Sequence, residues 1–261
     1  MHSAGEEARE DGSDGMNNRT VNSHTAVARV PGYCTRSCAT LRNGSQVEVR
    51  SFECVSDGAL KEAANVVQCM LEAAPVDVLE RMASSHVAVI GRDQVTSDMP
   101  PHRFLRATQA SLGERTYDNG CRGVGGTRSV PCTSVGEENL LRVDDMYYPE
   151  ESILVHELAH TIMNIGVSEQ VHARIINAYE RAVATGNFNK SSYMMSNAEE
   201  YWAEGVQAWF DASVREDVNC GLNTRCKLRE ADPQLADLML EVFGENDWRY
   251  TDTCPRSWCM P

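Results

Sequence analysis

Apolar residues recur at helical spacing over Leu60, Ala63, Ala64, Val67, Met70, Leu71 and Ala74, with Ser56 or Asp57 able to cap the run and Pro75 to end it. A shorter helix is expected over Val76–Met82. His86-Val87-Ala88-Val89-Ile90 has the length and composition of a buried strand, closed by Gly91. The apolar stretch 152–165 lacks Gly and Pro, which predicts a helix with Glu150 and Glu151 at its positive end and Gly166 just past its other end. Ser168 can head the next helix, to Thr185, with Val171, Ile175, Ala178, Tyr179 and Ala182 inward and Gly186 beyond. Asn197 begins another, through Tyr201, Trp202, Val206, Trp209 and Phe210 to about Val214. Asp232 and Pro233 open a last one, with Leu235, Leu238, Met239, Val242 and Phe243 inward and Gly244 closing it. Residues 118–139 are rich in glycine and read as a loop and edge strand. The fold class is therefore α+β: a small N-terminal sheet lobe, a central helix and a mainly helical C-terminal lobe.

Composition sets the limits. The 261 residues are 42% hydrophobic, enough for one sizeable core. Residues 1–32 nearly lack large apolar side chains and read as a flexible polar tail, which leaves 33–261 as the folded domain. A net charge of −14 argues against nucleic acid or an anionic membrane as partner, and no apolar run has the length of a membrane span. Ten cysteines, at 34, 38, 54, 69, 121, 132, 220, 226, 254 and 259, include no Cys-x-x-Cys pair. They predict a disulfide framework, with Cys121 and Cys132 pinning the glycine-rich loop, Cys220 and Cys226 bracketing a small loop, and Cys254 and Cys259 tying down the end. Sequons at Asn18, Asn43 and Asn189 fit a secreted glycoprotein whose signal peptide is not included in this chain.

The chemistry lies in the central helix. His156-Glu157-Leu158-Ala159-His160 is an instance of H-E-x-x-H. Residues at i and i+4 share a helix face, so both imidazoles can meet one metal ion, and Glu157 stands beside them as a base for water. Two core histidines are the alternative, but two His and a Glu in an apolar helix are costly to bury unsatisfied. Zinc is the expected cofactor. His86 and His102 stand alone in the sequence and read as structural.

A third ligand must come from elsewhere, and the candidates are Glu180, Glu199 and Glu200, which lie 20, 39 and 40 residues past His160. Glu180 points away from the buried face of its helix. Glu200 has Glu204 one turn on, placed to orient a ligating histidine. Glu199 falls nearer the aromatic arc of Trp202 and Phe210, so the helical wheel leaves both open.

The stretch from Tyr193 to Glu204, YMMSNAEEYWAE, resembles the metal-site region of anthrax lethal factor, a gluzincin zinc peptidase. The resemblance implies Glu200 as the third ligand and Tyr193 as a group that steadies the transition state. The segment from about Ser56 to Phe210, with GEEN (136–139), ILVHE (153–157) and EYWAEGVQ (200–207), is also similar to a group of secreted HExxH proteins. The expected protein is then a single zincin-like domain, a zinc-dependent endopeptidase acting on a peptide or protein. His156, His160 and Glu200 hold the metal, Glu157 is the general base, Glu204 stands behind the ligands, and Tyr193 meets the developing oxyanion. Two other classes share these motifs: a zinc-containing binding or structural protein without turnover, and a metallohydrolase of a non-peptide substrate. Glu137, Glu138, Asp144, Asp145, Glu150 and Glu151 precede the active-site helix and suggest an acidic cleft rim that favours basic peptides.

Overall fold

In the first half of the chain, alternating small apolar and polar residues form a five-stranded mixed sheet. The computed structural model describes residues 32–109 and 116–253. Strands β1 (Cys34–Thr40) and β2 (Gln46–Ser51) form an antiparallel hairpin; β2 and β3 (His86–Ile90) run parallel, as do β3 and β5 (Cys132–Gly136). The short β4 (Gly123–Val124) lies antiparallel on β5 and is the far edge in the order β1-β2-β3-β5-β4. The hairpin goes beyond the elements read from sequence. β1 is mostly polar and β2 offers only Val47 and Val49 as buried apolar positions, so neither carries a strong strand signal.

One sheet face receives the helices. Val47, Val49, Val87, Val89 and Val135 join the main core with α1 (Asp57–Leu71), α2 (Val76–Met82) and the central helix α4 (Ile153–Thr161). Of the two capping candidates it is Ser56 that caps α1, accepting from the Ala59 N–H. The C-terminal half adds α5 (Glu169–Thr185), α6 (Ala198–Trp209), α7 (Arg225–Ala231) and α8 (Pro233–Phe243). Within this half Trp202 stacks on Phe243 and Phe210 meets Phe243 edge-on, and the Trp202 indole N–H donates to the Ala159 carbonyl, which fixes α6 across α4. The opposite sheet face carries a second, small core of Ala88, Ile90, Met99 and Cys132, with Tyr33, Phe52 and Val130 packed on it. The fold is α+β, as the periodicities implied. No described helix is long and apolar enough to cross a membrane.

Two helix ends differ from expectation. The stretch expected to be helical over 152–165 is α-helical to Thr161 and then widens into a π-turn, Ile162–Gly166. α6 stops at Trp209 rather than near Val214, because the chain turns back through Asp211, at φ +51°, to pair Ser213 with Glu151.

The disulfide framework expected from the cysteine count is not formed among the described residues: Cys34, Cys38, Cys54, Cys69, Cys132, Cys220 and Cys226 are free thiols. Cys132 sits fully buried in the small core, while the Cys121 thiol donates to the Gly123 carbonyl. Cys220 turns toward the Asn189 carbonyl and Cys226 is exposed on α7. The sequon residues Asn43 and Asn189 lie exposed in turns. The expected polar tail up to residue 31, Asn18, and the Cys254–Cys259 tie lie outside the described residues.

Candidate metal centre

The H-E-x-x-H helix starts where it does because several side chains hold its first turn. Ser152 caps α4 by accepting from the Val155 N–H, and Asn139 receives the Ile153 N–H at 2.9 Å while donating to the Glu151 carbonyl. Asn139 belongs to the short helix α3 (Glu137–Leu141), which leads out of β5. This gives the GEEN stretch a structural meaning. Glu137 accepts from the Ser56 N–H, Glu138 is in a buried ion pair with Arg122, and Asn139 anchors the metal helix. Glu151 is also buried and paired with Arg215, and Asp145 caps the Tyr147 and Tyr148 amides. The acidic rim read from the sequence is therefore largely a set of internal braces.

His156 and His160 lie one turn apart on α4, with Nε2 atoms 3.2 Å from each other. Glu200, in the first turn of α6, brings Oε2 to 3.1 Å from the His156 Nε2 and 3.5 Å from the His160 Nε2. This is the one group of metal-capable side chains among the described residues. Ligands at about 2.0–2.1 Å around a tetrahedral zinc stand roughly 3.3 Å apart, so the spacing and the N, N, O donor set fit that ion. Glu199 is exposed, and so is Glu180 on α5; the structure brings neither to the cluster. Asn197 fixes the register of α6 by accepting from the Glu200 N–H.

Electrostatics follow from this convergence. Burial pushes the Glu200 carboxyl up, but hydrogen bonds and charge from His156 and His160 outweigh it and hold the group well below its ordinary range. The same balance acts on His156: burial opposes its charge, and Glu200, Glu157 and Glu204 outweigh burial and raise it well above an ordinary imidazole. Glu157, the residue after His156, is raised mainly by burial. Glu204 is deeply buried with Oε2 lacking a protein partner, and burial pushes it up to about 8 against the pull of His156. Its Oε1 is 3.7 Å from the His156 Nδ1. Tyr193 precedes α6 in a short 3₁₀ turn, its ring centroid 6.3 Å from that of His156 and its hydroxyl directed at Glu200.

The glycine-rich strand β4 lies against the same helix. A Cβ at Gly123 would come within 2.4 Å of Ile153 Cγ2 and 2.9 Å of Glu157 Oε1, and one at Gly125 within 2.4 Å of the His160 Cβ. Only glycine allows the strand to approach the histidine helix this closely. Gly126 and Thr133 both bond the Thr161 hydroxyl, which ties the sheet edge to the end of α4. The residue that sequence reasoning missed is Gln207. It is fully buried on α6, with Oε1 3.1 Å from the His156 Nδ1; its position seven residues past Glu200 on one helix face was the available signal.

No family model matches the chain, and no curated protein matches it. Among solved structures, the Pro-Pro endopeptidase PPEP-2 from Paenibacillus alvei is similar over 74% of this chain and 96% of its own, with a TM-score of 0.49 and 16% identity. At that level the functional reading stands on the side chains of the site alone.

Proposed function

We propose that the protein is a zinc-dependent peptidase whose metal is held by His156, His160 and Glu200. The observation that carries this is the convergence of two imidazole nitrogens and one carboxylate oxygen at 3.1–3.5 Å, at the spacing zinc requires. Bound zinc supplies a Lewis acid for the scissile carbonyl and acidifies a water molecule. Glu157 shares the turn of His156, is not needed as a ligand, and has a carboxyl that burial raises, which favours its taking up a proton. In this reading it takes the proton of the attacking water and delivers it to the leaving amine. Tyr193 presents its hydroxyl to the oxyanion that develops on the carbonyl. β4, the outer strand of the sheet among the described residues, offers backbone groups on which an extended peptide can lie beside Glu157. A protein that only stores zinc for stability has no use for Glu157 in this position. The catalytic unit in this reading is residues 33–261.

Digestion of a broad peptide library by wild type and Glu157→Gln, each with its zinc content measured, tests the proposal. Cleavage by wild type, and a loss of about 10²–10⁴-fold in Glu157→Gln at equal zinc, is the expected result. Equal zinc in both proteins with no cleavage by either contradicts it and favours the binding-protein class.

A further inference from the structure

The His156 nitrogen that faces away from the ligand cluster has two neighbours on α6. Nδ1 is 3.1 Å from Gln207 Oε1 and 3.7 Å from Glu204 Oε1, so only Gln207 is within hydrogen-bonding distance. Which amide atom of Gln207 faces the ring is decided on its other side. There the Ser152 carbonyl lies at 3.2 Å and Glu151 Oε2 at 3.4 Å, and both are acceptors. They require the NH₂ end, which leaves Oε1 for His156. An acceptor at Nδ1 in turn requires the proton on Nδ1. Nε2, the atom that converges with the His160 Nε2 and Glu200 Oε2, is then the nitrogen left to give its lone pair to a metal that displaces its proton. The anchors are themselves fixed: Glu151 is bonded to Arg215 at 2.9 Å, and Ser152 caps α4.

We propose that Gln207 is the positioning residue of this centre, holding His156 as the Nδ1–H tautomer and aiming its Nε2 at the metal. The inference rests on the metal reading above. It moves the orienting role from Glu204, where the sequence put it, one turn further along α6. Glutamine suits the task because both ends of its amide are satisfied at once, by the ring and by the turn that starts α4. Glu204 has an oxygen with no partner among the described residues and stands too far from Nδ1 for a hydrogen bond.

The test is zinc affinity, measured by competition with a chromophoric chelator on folded Gln207→Leu, Gln207→Glu and Glu204→Gln. The expected result is a loss of about 10–100-fold in Gln207→Leu and a loss of less than about threefold in Glu204→Gln. Gln207→Glu should bind more tightly than Gln207→Leu, because a carboxylate still accepts from Nδ1–H. A role confined to bracing Ser152 and Glu151 predicts the reverse order, since neither substitute donates to them and the carboxylate is in addition repelled by both acceptors. The double variant Glu204→Gln/Gln207→Glu keeps the charge of the site and gives the same comparison where Gln207→Glu does not fold. Gln207→Leu within threefold of wild type, or Gln207→Glu below Gln207→Leu, overturns the inference and leaves the metal reading standing. A wild type that binds no zinc overturns both.

Discussion

Two pairs of histidines occupy opposite sides of the sheet, and their surroundings give them opposite properties. His156 and His160 meet Glu200 at hydrogen-bonding distance, with Glu157 and Glu204 close by, and the charge on His156 is strongly favoured. His86, on β3, and His102, in the 3₁₀ turn Pro100–Leu105, lie against the small back core. Among the described residues neither ring nitrogen of His102 has a partner, nor does the His86 Nε2, and burial pushes both histidines down to about 4. At His86, Arg50 adds to the effect of burial and the Glu48 carboxylate opposes it. Burial alone therefore produces neutral structural imidazoles, whereas burial with converging carboxylates produces a site that favours a cation. A histidine in the core says little about function until its acid partners are located.

The largest expected effect is on metal binding. His156→Ala/His160→Ala should lose zinc altogether, and so should Glu200→Ala, while His86→Gln/His102→Gln and Glu199→Ala retain it at wild-type stoichiometry. Metal analysis after gel filtration reads this out; zinc lost with the back-core pair would erase the distinction between the two sides.

The second effect is on stability against pH, and it belongs to the back core. His102 has an ordinary pKa near 6.5 when unfolded and about 4 when folded, so the unfolded chain takes up the proton first. Its contribution is fully present above pH 6.5 and is lost as pH falls from there toward 4, by about 3 kcal/mol. Urea unfolding of the metal-free protein at pH 7.5, 5.5 and 4.5 should show this loss, and His102→Gln should flatten it. A His102→Gln profile parallel to wild type would place the acid sensitivity elsewhere.

The smallest of the three concerns Tyr193, beside the first pair. Tyr193→Phe should keep its zinc and lose about 100-fold in kcat with KM little changed, the size expected for one oxyanion donor. An unchanged kcat would remove Tyr193 from the chemistry.

Local signals were legible in the sequence and assembled ones were not. The expected starts Ser56, Ser168, Asn197 and Asp232 each accept from the backbone N–H three positions on, and those helices begin where these residues stand. His156 and His160 could be paired by arithmetic along one helix. Glu200 could not, because its choice over Glu199 depends on which face of α6 meets α4, and Trp202 and Asn197 set that face across some forty residues of chain. Gln207 escaped notice because its one signal, a place seven residues past Glu200 on the same helix face, gains meaning only when the ring it meets is known. The acidic run before α4 misled for the opposite reason. Charge is visible in sequence, but its partners Arg122 and Arg215 are not.

The central claim is that the metal binds through two imidazoles and a carboxylate in a chain that also holds ten cysteines. X-ray absorption at the zinc edge, on protein loaded with one equivalent of zinc, reads the donor atoms directly. The account predicts a first shell of nitrogen and oxygen only, at about 2.0–2.1 Å, with the outer-shell pattern of two imidazoles. Sulfur scattering at about 2.3 Å would place the metal on cysteine and contradict it.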